Sequence, residues 1–176
     1  MDPIGLESLD DRWLVDIASL VEDPDVRRFT RIPEPPPDGF PQTWLASYRT
    51  GREDRTREGF AAIGATGQFL GLGLAPKIDR TAGEAELGYI VASAARGRGV
   101  ATEILRLLTQ WAFDDQRLLR VYLIIDVGNH ASHRVAQRCG YQREGVMRST
   151  HVKQHQRIDA ALWSRLPADP APPRAR

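Results

Sequence analysis

Two glycines and two arginines within six residues, Arg96-Gly97-Arg98-Gly99-Val100-Ala101, make this the segment of the 176-residue chain best equipped to bind an anion. An alternating run from Glu86 to Val91 precedes it and a run of helical period from Val100 to Phe113 follows, so the order is strand, basic glycine turn, helix. Gly97 and Gly99 carry no Cβ, so the chain can turn tightly there and aim its N–H groups at one spot. That spot lies at a helix N-terminus, where the first amides have no internal acceptor and the macrodipole favours negative charge. A phosphate or pyrophosphate fits such a place. Arg96 and Arg98 add permanent cations with donor geometry suited to phosphate oxygens. Six residues taken alone could equally form a solvated basic turn. They are not a Walker loop, which requires G-x-x-x-x-G-K-[ST], nor a dinucleotide fingerprint, which requires G-x-G-x-x-G.

In context the segment resembles a known arrangement. Arg96-x-x-Gly99-x-Ala101, following Glu86-Leu87-Gly88-Tyr89-Ile90-Val91, is similar to the acyl-CoA pyrophosphate loop of the GNAT superfamily of N-acetyltransferases. Asn129-x-x-Ser132, Cys139-Gly140-Tyr141 and Glu144-Gly145 resemble its RimJ/RimL branch, whose best-known members acetylate ribosomal-protein N-termini. The resemblance runs from Asp10 to Leu166. It implies an α/β (α+β) fold with a mixed, mostly antiparallel central sheet and helices on both faces. The strand ending near Val91 and the one beginning near Val121 would be parallel and splay apart, leaving a slot for the pantetheine arm of acetyl-CoA or another acyl-CoA. Ile90, Val91 and Ala92 would pair their main-chain groups with that arm, one N–H reaching the thioester carbonyl. Arg96, Gly97, Arg98, Gly99, Val100 and Ala101 would hold the pyrophosphate, and Asn129 and Ser132 would border the arm. The family usually opens with a longer first strand than this chain provides.

The implied reaction is direct attack of a primary amine, on a protein N-terminus or a small molecule, upon the thioester. The amine must be neutral. A peptide α-amine, with pKa about 7.7–8.0, is roughly one-tenth neutral at pH 7, whereas a lysine at about 10.4 leaves about one molecule in two thousand. His151 and Glu86 are the candidate bases; a histidine titrating near about 6.5 suits an α-amine better than a lysine. Each has a plainer reading, His151 as a strand histidine satisfied by its surroundings and Glu86 as an arginine's partner. For the leaving sulfur, many superfamily members use a tyrosine seven positions beyond the asparagine, where this chain has Ala136; RimJ/RimL-type sequences share that departure, which implies Ser132 as donor. Ser132 could instead simply stabilise the first turn of its helix, and Asn129 could cap it. His151 and His155 offer no third ligand nearby, so no metal is expected. Arg143, Arg148, Lys153 and Arg157 could form a cationic wall for a succinyl carboxylate or an acidic acceptor, or merely a solvated face. With the usual tyrosine absent, a non-catalytic acyl-CoA sensor is a further alternative.

These groups need a scaffold, and the chain supplies one. Its length suits one domain, expected over residues 1–166 with 167–176 a disordered tail, and 41% hydrophobic residues can build a core. Lys plus Arg number 24 against 23 Asp plus Glu, a formal charge of +1, so no global field favours nucleic acid or membrane as partner. The single cysteine, Cys139, excludes an internal disulfide and reads as packing. No apolar run approaches the ~20 residues of a membrane span, and no signal peptide is evident, so a soluble cytoplasmic protein, monomer or homodimer, is expected.

Along the chain, Pro3 to Glu7 suggests a meagre first strand. A helix from Asp10, capped by Ser8, would face Trp13, Ile17, Leu20 and Val21 inward, and Asp23 to Thr30 reads as a broken second turn. Pro33 to Gly39 is a stiff loop, which the resemblance puts beside the acceptor cleft. Gln42 to Thr50 is predicted as helix, Arg52 to Glu58 as its solvated end, and Gly59–Ala65 with Phe69–Ala75 as a hairpin. Lys77 to Gly83 reads as a polar turn. The helix after the basic loop should bury Val100, Ile104, Leu107, Leu108 and Trp111. Val121 to Ile125 is a strand apolar on both faces, hence central. His130 to Cys139 is a short helix ended by Gly140, and Tyr141–Val152 with Arg157–Leu166 form a final antiparallel pair.

Overall fold

The computed structural model describes residues 3–153 and 156–172. Among the described residues there are seven strands and five α-helices: β1 (Gly5–Ser8), α1 (Leu14–Glu22), α2 (Pro24–Phe29), α3 (Phe40–Glu53), β2 (Glu58–Ile63), β3 (Phe69–Asp79), β4 (Glu84–Val91), α4 (Val100–Gln110), β5 (Arg120–Asp126), α5 (His130–Arg138), β6 (Gln142–Lys153) and β7 (Gln156–Arg165). They form one sheet in the order β1-β2-β3-β4-β5-β7-β6. Every neighbouring pair is antiparallel except β4 and β5, which are joined through α4 as a parallel pair must be joined by a crossover.

Two apolar clusters cover the two faces. One gathers Ile104, Leu105 and Leu108 of α4, Ala136 and Cys139 from the α5 segment, and Leu87, Val121, Leu123 and Ile125 of the central strands. The other packs Ile17, Leu20 and Val21 of α1 and Leu45 and Tyr48 of α3 onto Leu72, Leu74 and Ile90. Alternation along β4 thus sends Leu87, Tyr89 and Val91 to the α4/α5 face and Ile90 to the α1/α3 face.

Several expectations shift by a few residues for identifiable reasons. Ser8 is the last residue of β1, and Asp10 caps the following turn by accepting from the Arg12 amide at 2.9 Å. Asp23 caps α2, accepting from the Asp25 and Val26 amides, with Pro24 in the first helical turn where its missing N–H costs nothing. Lys77 to Asp79 is not turn but the end of β3, which continues past a register shift and pairs with Glu84 to Glu86. In α4 it is Leu105 rather than Leu107 that is fully buried, and the helix closes in a π turn over Trp111–Asp115. Arg52, expected in a solvated end, ties α3 to the sheet through Glu58 Oε1 at 2.7 Å and the Gly59 carbonyl at 3.1 Å. Beyond β7, Asp169 accepts from the Leu166 amide and from Gln142 Nε2; residues 173–176 and His155 lie outside the described residues.

The position of α5 decides what reaches the sheet's centre. Asn129 Oδ1 accepts from the Ser132 amide at 3.1 Å, capping the helix start. Cys139 Sγ donates to the Thr102 carbonyl of α4 at 3.4 Å, and Trp163 Nε1 of β7 donates to His133 Nδ1 at 3.0 Å. Burial pushes the Cys139 thiol up to about 11, so it serves as packing, as its place at a helix end suggested.

Candidate active site

β4 and β5 pair only at their beginnings, Glu84 with Arg120, Ala85 with Val121 and Glu86 with Tyr122. Past those three positions β4 stays with β3 and β5 stays with β7, so the two strands diverge. A cleft of about 910 Å³ occupies the divergence. Its walls come from both faces of the sheet, Leu20 and Trp44 on one side and Val100 and Val135 on the other, as an opening between strands requires.

The glycine loop closes one end. Gly97 and Gly99 hold φ of +73° and +79°, left-handed values that L-residues adopt only at a cost of about 1–2 kcal/mol. This backbone leads directly into α4, where Gly99 is the N-cap. Among the described residues the amides of Gly97, Arg98, Gly99, Val100, Ala101 and Thr102 make no hydrogen bond of good geometry to a main-chain carbonyl outside the helix, whereas those just before are spent: Ala95 on Ala92 and Arg96 on Ser93. Amides so placed at a helix N-terminus, with Gly97, Gly99, Val100, Ala101 and Thr102 lining the cleft, have the arrangement that suits an anion.

The residues anticipated for the site are mostly brought together. Glu86, Ile90, Val91, Arg96, Gly97, Gly99, Val100, Ala101, Asn129, Ser132 and His151 all line the cleft; Ala92 and Arg98 do not. Two expectations need correcting. Arg96 is not a free cation for an anion: its Nη2 lies 2.6 Å from Asp23 Oδ2, its Nη1 3.0 Å from Asp25 Oδ2, and its Nε donates to the Val91 carbonyl at 3.2 Å. The side chain instead bolts the glycine loop to the start of α2. Nor do Ile90, Val91 and Ala92 all face the gap. The Ala92 amide donates to Leu70 of β3 at 3.0 Å, and in antiparallel pairing Ile90, two residues back, must turn its groups the same way. The main-chain groups of Tyr89 and Val91 therefore point toward the divergence, and because the Val91 carbonyl accepts from Arg96, the N–H is the group that Val91 itself presents there.

The titratable side chains divide between the faces. Glu86, 12% exposed, is ion-paired to Arg31 at 2.9 Å. His151, on β6 opposite Ile158, has its Nδ1 buried without a hydrogen-bond partner among the described residues. Burial chiefly, with Arg31 and Lys153 adding to it and Asp126 opposing, holds the His151 pKa below the ordinary histidine value, so its ring is neutral at pH 7. Lys153 Nζ donates to the Ile32 carbonyl at 2.7 Å and the Thr30 carbonyl at 3.2 Å, clamping the end of β6 over the segment that follows α2. Arg143, Arg148, Lys153 and Arg157 do not line the cleft.

On the α4/α5 side the cleft meets Ser132, and beside it the phenol of Tyr89, whose hydroxyl is buried and makes no hydrogen bond of good geometry. Burial raises the Tyr89 pKa, and the neighbouring Ser132 hydroxyl works against that rise. Sequence reasoning missed Tyr89, since alternation alone shows only the face it takes. It also missed Arg134 and Arg138, which line the cleft and whose i, i+4 spacing on α5 was the available signal.

Among the described residues no cluster of three metal-ligating side chains occurs, and no helix is long and apolar enough to cross a membrane. Comparison with known proteins adds the family. The acetyltransferase (GNAT) domain matches residues 4–142. A Bacillus subtilis protein carrying the provisional name ribosomal N-acetyltransferase YdaF is 34% identical over 82 residues, 47% of this chain and 45% of that protein. An uncharacterized N-acetyltransferase of Bacillus licheniformis, p20, is 28% identical over 89 residues, 51% of this chain and 50% of that protein. The matched stretches thus span about half the length of these curated relatives. Among solved structures, RimL, a ribosomal L7/L12 α-N-protein acetyltransferase in complex with CoA, superposes with a TM-score of 0.85 at 16% identity, covering 93% of each chain. The Vibrio cholerae spermidine N-acetyltransferase in complex with CoA and spermine gives 0.84 at 20% identity, covering 94% of this chain and 96% of that one. At such identities the superpositions establish the fold alone.

Proposed function

The chain belongs to the GNAT acetyltransferase family, and from that premise we propose that it transfers an acetyl group from acetyl-CoA to a primary α-amine by direct attack. The observation that carries the reading is the row of amides, Gly97 to Thr102, at the end of the β4–β5 divergence. A pyrophosphate on those amides leaves the pantetheine arm to run along β4, where Tyr89 and Val91 turn their main-chain groups outward. The Val91 N–H then meets the thioester carbonyl, and a single such donor is worth about 2.7–4 kcal/mol as negative charge develops on oxygen.

The split of side chains between the faces suits attack and departure on opposite sides of the thioester. His151 and Glu86 border the approach of the amine, and Ser132 borders the leaving sulfur. His151, neutral at pH 7, can take the proton that the attacking nitrogen sheds as its bond to the carbonyl carbon forms. A polyamine fits this end less well. Of the carboxylates lining the cleft, Asp25 and Glu86 are already paired to Arg96 and Arg31, and Asp126 accepts from the Gly128 amide at 2.7 Å. The aromatic wall of Phe29, Phe40, Trp44 and Tyr48 favours an apolar group beside the reacting nitrogen, as at a peptide N-terminus. The four cations considered for a succinyl carboxylate do not line the cleft, whereas Arg31, Arg57, Arg134 and Arg138 do, so the comparison of donors below decides between acetyl and succinyl.

Thiol release from acetyl-CoA and succinyl-CoA, measured against a panel of peptide N-termini, polyamines and aminoglycosides, tests this directly. Turnover with acetyl-CoA and peptides is expected. Binding of CoA without turnover on any amine would instead make the protein an acyl-CoA sensor.

A further inference from the structure

We propose that Tyr89 is a positioning residue for the leaving group: once acyl-CoA fills the cleft its phenol, reaching from β4 to the face of α5, donates to Ser132 Oγ and so directs the serine's own hydrogen at the departing sulfur. The inference rests on the acyl-transfer reading above and adds a residue to it.

A hydroxyl buried without a partner calls for an explanation, because native interiors rarely leave one. Tyr89 Oη is such a group, in a side chain that lines the cleft. Its electrostatic neighbours are Ser132 and Cys139. With Ala136 these fall at i, i+4 and i+7, one stripe along α5. Ala136 is fully buried in the same apolar cluster that Tyr89 packs against, and a residue with a single methyl at the middle of the stripe leaves space for an aromatic ring from the sheet. The ring therefore lies toward Ser132 without being hydrogen-bonded to it.

Serine has one hydrogen and two lone pairs. Unless a neighbour donates to Oγ, that hydrogen is free to turn toward any acceptor, including the helix's own carbonyls. Tyr89 is suited to be the neighbour: burial keeps it a phenol, hence a donor, throughout the working pH range. The Ser132 backbone is meanwhile fixed by the Asn129 cap. With Oγ accepting from Tyr89, the serine hydrogen must turn away from the phenol, and the direction into the cleft is among those left to it. In the reaction the amine nitrogen bonds to the carbonyl carbon, and the C–S bond breaks with its electron pair going to sulfur. The thiolate leaves hydrogen-bonded to Ser132. Nitrogen's surplus proton goes to His151 or water, and the thiolate takes its proton from solvent. No proton leaves Tyr89.

The test compares wild type, Tyr89→Phe, Ser132→Ala and the double variant in thiol release, with melting temperature measured on each. Phenylalanine keeps the ring and deletes only the hydroxyl. Expected for Tyr89→Phe is a fall in kcat of about tenfold or more, an unchanged KM for acetyl-CoA, and an equal or higher melting temperature because an unsatisfied buried group is gone. The double variant should be no slower than Ser132→Ala alone, since the tyrosine acts through the serine. Wild-type kcat in Tyr89→Phe overturns the proposal, as do multiplying losses in the double variant, or a kcat loss accompanied by a lower melting temperature and raised KM. A wild-type protein that releases no thiol overturns the acyl-transfer reading itself, a failure visible before any variant is made.

Discussion

Replacing Gly99 by glutamate should separate the proposed anion site from its scaffold. Gly99 holds φ +79° as N-cap of α4, so any side chain there costs about 1–2 kcal/mol in backbone strain. That cost falls on folding and is shared by Gly99→Ala. Glutamate adds a carboxylate beside the amides that would receive the pyrophosphate. At about 5 Å and an effective dielectric of about 20, one pair of like charges repels by about 3 kcal/mol, and solvent exposure of the loop reduces this toward 1. At about 1.4 kcal/mol per decade, Gly99→Glu should therefore weaken CoA binding by roughly tenfold to a hundredfold beyond Gly99→Ala. Isothermal titration calorimetry with CoA on both variants measures the difference. Repeating it at high salt should recover part of the glutamate loss and leave the alanine value little changed, since only the former is electrostatic. Equal affinity of the two variants for CoA would refute the placement of a phosphate at this turn.

Other expectations follow from the same geometry. Arg96→Ala removes the bolt to Asp23 and Asp25 and should lower stability by about 1–3 kcal/mol in urea titration, while Arg96→Lys, with one donor group in place of a fork, should recover only part of it. Ser132→Ala should lower kcat with little change in CoA affinity, as read by thiol release and calorimetry; unchanged turnover would remove it as donor. His151 is held below its ordinary pKa in the folded protein, so the unfolded chain takes up the proton first. Its contribution to stability is therefore intact above about pH 6.5 and declines as pH falls toward the folded value. With kcat/KM expressed per neutral amine, the remaining acid limb should lie below about pH 6.5, and His151→Gln should abolish both effects. Lys153→Ala releases the end of β6 from the Thr30 and Ile32 carbonyls and should raise KM for the acceptor more than for acetyl-CoA, measured by varying each substrate separately.

The glycine loop and its flanking elements were legible because local chemistry determines them: a residue without Cβ permits positive φ, alternation marks β4, and helical period marks α4. The apolar run at Val121–Ile125 likewise identified β5 as central. What escaped was settled by partners distant in sequence. Arg96 looks like an anion ligand until Asp23 and Asp25, more than seventy residues away, are folded against it. Lys77 to Asp79 is too polar to read as strand, yet pairing with Glu84 to Glu86 extends β3 through it. Which main-chain groups of β4 face the gap depends on its register with β3, and register is fixed by the assembled sheet rather than by β4's own residues. Tyr89 shows the same limit, because its isolation is a property of what surrounds it.

The amides of Gly97 to Thr102 can be observed individually. Amide hydrogen exchange followed by NMR, with and without saturating CoA, reads each of them in the intact protein. Protection of that row together with Val91 on binding is the result expected. Binding of CoA that leaves the exchange of Gly97 to Thr102 unchanged would contradict it.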